Sequence, residues 1–237
     1  MRRVLVAIFL LLPLVSAAQQ RLSVDVETVQ VAEGKKITTL RSLYLHSDGR
    51  MVVEQHAPMH LISQTNTLGE MRIYDPQNNQ VAALNNREMS SSREMVAIFS
   101  SGDYADMALD DYGFLQSDVR TENGFLIKTF STKRSEKGVA SVELVFQNHL
   151  PICMIYYDNS HNILRKVYFS RYEYGRIPMP MRIVEVDYST PTDSIVRRNT
   201  YSNLLIGREA TSSMFDYQIP ADAQRTDVNL NQLLQQR

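Results

Sequence analysis

His56 and His60 stand four residues apart, a spacing that on a helix would aim two imidazoles at one metal ion. Pro58 lies between them, and a proline has no place inside a helix. Residue 57 is alanine, so the glutamate that follows the first histidine of a zinc-protease helix is missing. The pair reads as exposed strand histidines, with no metal. His46, His149 and His161 sit beside turn-forming residues without ligand partners nearby in the chain. Asp103, Asp106, Asp110 and Asp111 form an acidic patch, but the spacing is not that of a calcium loop and its turn glycine is absent. A solvated loop is expected there. Ser100-Ser101-Gly102 lacks the G-x-S-x-G frame of a hydrolase elbow, and there is no glycine-rich phosphate loop. Cys153, between Ile152 and Met154, reads as a buried, inert thiol. No nucleophile, base and acid fall at a supporting spacing. The expectation is a protein with no catalytic residues and no cofactor, not an enzyme.

The elements around these residues are mostly strands. The stretch Pro151 to Tyr188 holds three strand-like runs: Ile152–Tyr157, Ile163–Tyr172 and Met181–Tyr188. They are separated by the turn formers Asp158 to Asn162 and by Gly175 with Pro178 and Pro180. Upstream, Leu22–Val31, Ile37–Leu45, Met51–His56, Met59–Gln64, Glu70–Tyr74 and Gln80–Leu84 alternate with turns every eight to twelve residues or so. Phe114–Val119, Gly124–Ser131 and Val139–Asn148 continue the pattern, and Ser194–Tyr201, Asn203–Gly207 and Met214–Ile219 follow the meander. Ser91-Ser92-Arg93-Glu94 has the form of a capping box, and Met95, Ile98 and Phe99 give a one-sided apolar face. This predicts a short helix from Ser91 to about Phe99, stopped by Gly102, with a further helical turn or two between Asp103 and Leu109. The fold class expected from the pattern is mainly β (α+β), an antiparallel sandwich or barrel with a short helix.

Residues 1–18 carry Arg2 and Arg3, an apolar run from Val4 to Val15, and small residues Ser16-Ala17-Ala18. That is the pattern of a secretory signal peptide cleaved near Ala18. The apolar run is too short for a membrane span, so no transmembrane segment is expected in the mature chain. The expected organisation is a signal peptide over 1–18, one β domain over 19–226 and a loose tail over 227–237. A single cysteine allows no internal disulfide, so the fold must rest on burial. Removing Arg2 and Arg3 takes the formal charge from −1 to about −3, near neutral and without a basic run, which excludes a nucleic-acid partner.

Many strands are apolar on one face: Met51 and Val53; Met71 and Ile73; Val142, Leu144 and Phe146; Met154 and Tyr156; Met181 and Ile183. With only a short helix to cover them, a curved sheet could leave a lined hollow, with Met95, Ile98 and Phe99 as its lid. A packed sandwich satisfies the same pattern equally well. Eleven methionines suit an adaptable apolar surface.

Certain motifs carry a resemblance. Tyr74-Asp75-Pro76 followed by Gln80-Val81 resembles a hairpin of the LolA/LolB-like fold. Pro151, Tyr156-Tyr157-Asp158, Phe169, Tyr172, Ile177-Pro178, Met181, Phe215 and Pro220 resemble the C-terminal half of the outer-membrane lipoprotein-sorting (LolA-like) family. The resemblance runs from about Glu70 to Ala223. It departs where Leu22–Val31 replaces an N-terminal helix and where His161-Asn162 replaces a glycine turn. It implies a mainly β (α+β) fold, a curved antiparallel half-barrel of about 11 strands with a short helical lid over an apolar cavity that holds acyl chains. The expected function is a periplasmic binding or carrier protein for an acyl chain or lipidated protein, in outer-membrane lipoprotein sorting or biogenesis. The alternative is a non-catalytic envelope interaction or sensor protein that kept the fold with a filled cavity and acts through an envelope protein partner.

Overall fold

A computed structural model describes residues 21–102, 104–133, 138–190 and 193–226. The expected signal peptide and tail lie outside the described residues. The first half is a meander of six strands, β1 (Leu22–Ala32), β2 (Lys35–Leu45), β3 (Met51–Ala57), β4 (Leu61–Thr65), β5 (Glu70–Asp75) and β6 (Gln80–Asn85). The second half is another, β7 (Leu115–Glu122), β8 (Phe125–Ser131), β9 (Ser141–Gln147), β10 (Leu150–Tyr157), β11 (Ile163–Tyr174), β12 (Pro178–Thr190) and β13 (Asp193–Ile206). Antiparallel pairing of β1 with β13 fuses the two into one sheet, and β14 (Gln224–Arg225) adds to β6 in parallel. The order is β14-β6-β5-β4-β3-β2-β1-β13-β12-β11-β10-β9-β8-β7, an open sheet of fourteen strands rather than about eleven.

This topology dictates where the helix goes. The chain leaves the sheet at β6 and re-enters at β7, near the opposite edges. Along the sheet that is about 60 Å at ~4.8 Å per strand. The connection crosses the concave side instead, carrying α1 (Met95–Ser101) with it. Val96, Ala97, Ile98 and Phe99 of α1 join Val24, Leu144, Ile183 and their neighbours in the main core. The helix ends at Gly102, whose φ of 76° is the left-handed conformation expected of a helix stop.

The helix starts later than expected. Ser91 is fully buried, donates its hydroxyl to the Gly49 carbonyl at 2.5 Å, and opens a separate 3-10 turn, Ser91–Arg93, that Ser90 caps by accepting the Ser92 N–H. Glu94 takes the N-cap position without a side-chain cap bond. Beyond Gly102 no second helix forms among the described residues 104–109. Met107 and Ala108 have φ of 54° and 56°, which breaks any helical run, while Met107 and Leu109 insert into the core.

Two further expectations change. Ser194–Tyr201 and Asn203–Gly207 form a single strand, β13, which passes through a left-handed Asn203 (φ 53°). Met214–Ile219 is not a strand. A 3-10 turn spans Ser213–Asp216, with Ser212 Oγ accepting the Met214 N–H. Its buried Phe215 meets Tyr44 edge-on at 5.6 Å, and Met214, Tyr217 and Ile219 pack on Val52, Ile62 and Tyr74. The segment is thus a strap on the convex face, and the closing strand that Phe215 and Pro220 suggested is absent.

The turns follow their chemistry. Asp75 accepts from the Gln77 and Asn78 backbones, and Asp158 accepts from Ser160 and Asn162. His161 takes the left-handed place of a turn glycine (φ 62°) while its ring stacks on Tyr157 at 4.4 Å.

Candidate functional site

Register places every second residue of β2 to β5 on the concave wall. Leu43, Val53, Ser63 and Ile73 line up across four strands, and Leu45, Met51, Thr65 and Met71 form the next row. Arg41 leads a third row through Gln55 to Leu61. α1 covers the concave face further along the sheet, so these rows border a hollow of about 250 Å3. Leu43, Met51, Val53, Leu61, Met71 and Ile73 supply its apolar wall. Thr28, Thr39, Gln55, Ser63, Thr65 and Asn199 supply neutral polar groups, and Arg41, Arg197, Glu94 and Glu185 bring charge. A second, more open groove of about 540 Å3 lies at the hairpin ends, bordered mainly by polar residues such as Arg50, Gln64, Asn66 and Arg72. The first is better enclosed and carries the apolar rows.

The expected cavity residues divide between two places. Met51, Val53, Met71 and Ile73 line the hollow, although Met51 and Met71 are themselves buried and Met51, with Val53 against it, also belongs to the core under α1. Val142, Leu144, Phe146, Met154, Met181 and Ile183 lie in the closed core beneath α1, and Tyr156 packs against that core. Of the expected lid residues, Phe99 is fully buried and Ile98 nearly so, while Met95 is half-buried. Phe99 meets the rings of Tyr104, Phe169 and Tyr172 at 5.5, 5.7 and 6.1 Å. α1 therefore packs as part of the core.

Sequence reasoning missed the polar lining. Arg41 and Gln55 stand two residues from Leu43 and Val53, so strand alternation alone placed them on the same wall. Arg165 pairs with Glu185 and lies 3.1 Å from Asp187. Arg197 stands 3.7 Å from Glu185 and donates to Gln30. Thr28 donates to Asn199 at 2.7 Å and accepts from Arg41 Nη2 at 3.1 Å. Arg41 Nε is buried with no hydrogen-bond partner, and Arg41 has no ion pair among the described residues. Burial pushes the Tyr201 phenol up, reinforced by Glu94 and opposed by Arg41, so both charges bear on the same hydroxyl.

The convex face holds a polar chain. Asn203 donates to Asp25, Ser42 Oγ lies 2.6 Å from Asp25, and His56 Nε2 lies 2.9 Å from Ser42. Glu54 stands 3.0 Å from His60 and 4.0 Å from His56. The Ser42 hydroxyl gives its proton to Asp25, leaving none for His56 to remove. Ser42 also lies mid-sheet between Asp25 and Glu54, where backbone N–H groups are committed to pairing rather than free to hold an oxyanion. Among the described residues no group of three or more His, Cys, Asp or Glu is placed to hold a metal ion. Cys153 is half-buried rather than buried, and burial pushes its thiol up to about 11, which leaves it protonated and unreactive at neutral pH.

Among the described residues the fold is an open, mainly antiparallel sheet with one α-helix packed on it, and solved structures show that this fold is LolA-like. A LolA superfamily protein from Nitrosomonas europaea superposes with a TM-score of 0.56 at 14% identity, over 84% of this chain and 92% of that one. A domain from Vibrio parahaemolyticus named for outer membrane lipoprotein sorting gives 0.56 at 14%, over 84% and 90%. A DUF1329 family protein from Desulfovibrio piger gives 0.55 at 17%, over 83% and 89%. No protein-family model matches the sequence, and no curated protein matches it. The likeness is one of fold.

Proposed function

We propose that this protein is exported to the periplasm and binds or carries an acyl chain, free or on a lipidated protein, in the hollow beside α1. The observation that carries the reading is the part-apolar wall of Met51, Val53, Met71 and Ile73 around about 250 Å3 that the chain's own side chains leave unfilled. At ~30 Å3 per water-sized group the space takes roughly eight such groups. Eight methylenes would contribute about 6 kcal/mol of gross burial at ~0.8 kcal/mol each, before the costs of association. The shared fold with the Vibrio domain named for outer membrane lipoprotein sorting supports a role of that kind. The basic start, apolar run and small residues of 1–18 support export.

Native mass spectrometry of protein purified from the envelope fraction tests this reading. The expected result is a chain starting near Gln19 with a lipid adduct that organic extraction removes. An adduct-free protein that also takes up no added lipid would contradict it. A second reading, an envelope interaction protein with a filled interior, is favoured by the closed packing of Val142, Leu144 and Ile183, each 0% exposed. It predicts that a folded Ile73→Glu variant keeps its partner in an envelope pull-down.

A further inference from the structure

The hollow also has a polar end, and its charges point to a head group. Arg41 lines the hollow, and its Nε is buried without an acceptor. A buried N–H of a guanidinium left unsatisfied is costly, and native proteins satisfy most such groups with protein, water or ligand. Glu94 lines the same hollow, has no ion pair among the described residues and makes no cap bond to the helix it precedes. Arg41 and Glu94 are not within ion-pair distance of each other. Glu185 brings a second carboxylate, held between Arg165 and Arg197. Around them stand Thr28, Thr39, Ser63 and Thr65; Thr28 and Thr65 already give their protons to Asn199 and the Met89 carbonyl and keep only acceptor capacity.

This arrangement disfavours a bare anion. A fatty-acid carboxylate brought to Arg41 would share a partly desolvated space with the unpaired Glu94, since Glu185 is already compensated by Arg165 and Arg197, and like charges repel most where water is scarce. A neutral head that accepts at one atom and donates at another meets both residues. Resting on the acyl-carrier reading above, we infer that the ligand is a neutral hydroxylated ester of the acylglycerol type. Its carbonyl oxygen accepts from Arg41 and a free hydroxyl donates to Glu94, while the acyl chain runs along Met51, Val53 and Ile73.

The test is calorimetry at neutral pH on delipidated mature protein, with monodecanoylglycerol and decanoate below their micelle concentrations. Nile red, an uncharged apolar dye, reports the hydrocarbon wall. Wild type is expected to bind the ester at least tenfold more tightly than the carboxylate. Arg41→Met should weaken ester binding by roughly tenfold or more, the order of a lost hydrogen bond to a charged group, and leave Nile red bound. Arg41→Lys keeps the charge but lacks the planar guanidinium fork and should also lose the ester preference. Glu94→Gln should tighten decanoate binding several-fold. Melting curves check that each variant folds, and the lysine and glutamine variants carry the test if the methionine variant does not. A wild-type preference for decanoate overturns the inference. So does an unchanged ester affinity in folded Arg41 variants while Nile red still binds, and in that case the acyl-carrier reading stands. If wild type binds neither lipid nor Nile red, that reading falls and the head-group inference falls with it.

Discussion

Replacing Phe99 by alanine asks whether α1 is core or movable cover. The Phe99 side chain is fully buried and touches three aromatic rings. Removing roughly 200 Å2 of buried ring surface at ~25 cal/mol per Å2 forfeits about 5 kcal/mol. Phe→Ala changes in protein cores cost about 3–5 kcal/mol. With a urea m-value of about 2 kcal/mol/M, the unfolding midpoint should fall by about 2 M. The chain has no tryptophan and twelve tyrosines, so far-UV circular dichroism and tyrosine fluorescence are the probes. Both should report one shifted transition. A loss below about 1 kcal/mol, or a transition with unchanged midpoint and a separate early phase, would mean that α1 detaches on its own. Phe99 would then not anchor α1 in the core.

Gly69 has φ +82°, and a Cβ there would meet the Asn86 carbonyl oxygen at 2.2 Å, so Gly69→Ala should destabilise by about 2–4 kcal/mol in the same urea titration. The half-buried Cys153 thiol, pushed up to about 11, should react with a disulfide reagent at pH 8 on the order of a hundred times more slowly than in urea-unfolded protein. A side-chain hydrogen bond from Asn78, against a burial cost, holds the Asp75 carboxyl below its ordinary value of 3.8. That contribution is fully present above the unfolded-state value and is lost as pH falls through the lowered folded one. Thermal melts from pH 6 to about pH 2.5 should therefore show less acid sensitivity in Asp75→Asn than in wild type.

Much of the fold was legible because strand alternation is a local property. Val142, Leu144 and Phe146 alternate with Glu143 and Val145 in the sequence, and in β9 the first three are the buried ones. The turn at Asp158 was legible too, since an aspartate that accepts from backbone two and four residues on makes its own reversal. Other features depended on distant partners. Ser91 reads as a helix cap, but its side chain is drawn inward to the Gly49 carbonyl, 42 residues away, and Ser90 caps the 3-10 turn that precedes α1 instead. Met214 to Ile219 reads as a strand, because apolar residues look alike whether they enter a sheet or lie across one. β14 is two residues long and exists through its parallel pairing to β6, which no periodicity announces.

The site was half legible for a related reason. The period of β3 and β5 put Met51, Val53, Met71 and Ile73 on the concave wall. Whether such a residue ends in core or hollow depends on where the crossing segment comes to rest. It rests on Val142, Leu144 and Ile183 and reaches Leu45 and Met51, leaving a hollow beside the outer parts of β2 to β5. Arg41 and Gln55 obey the same alternation, and they show that the wall is mixed rather than uniformly apolar.

Photocrosslinking with a diazirine-bearing acylglycerol, followed by peptide mass mapping, probes the hollow directly. Adducts should concentrate on the β3 and β5 peptides that carry Met51, Val53, Met71 and Ile73, and excess unlabelled monodecanoylglycerol should compete them away. Adducts confined to the convex strap around Phe215 and Tyr217, or a lack of competable labelling anywhere, would contradict acyl binding on the concave face.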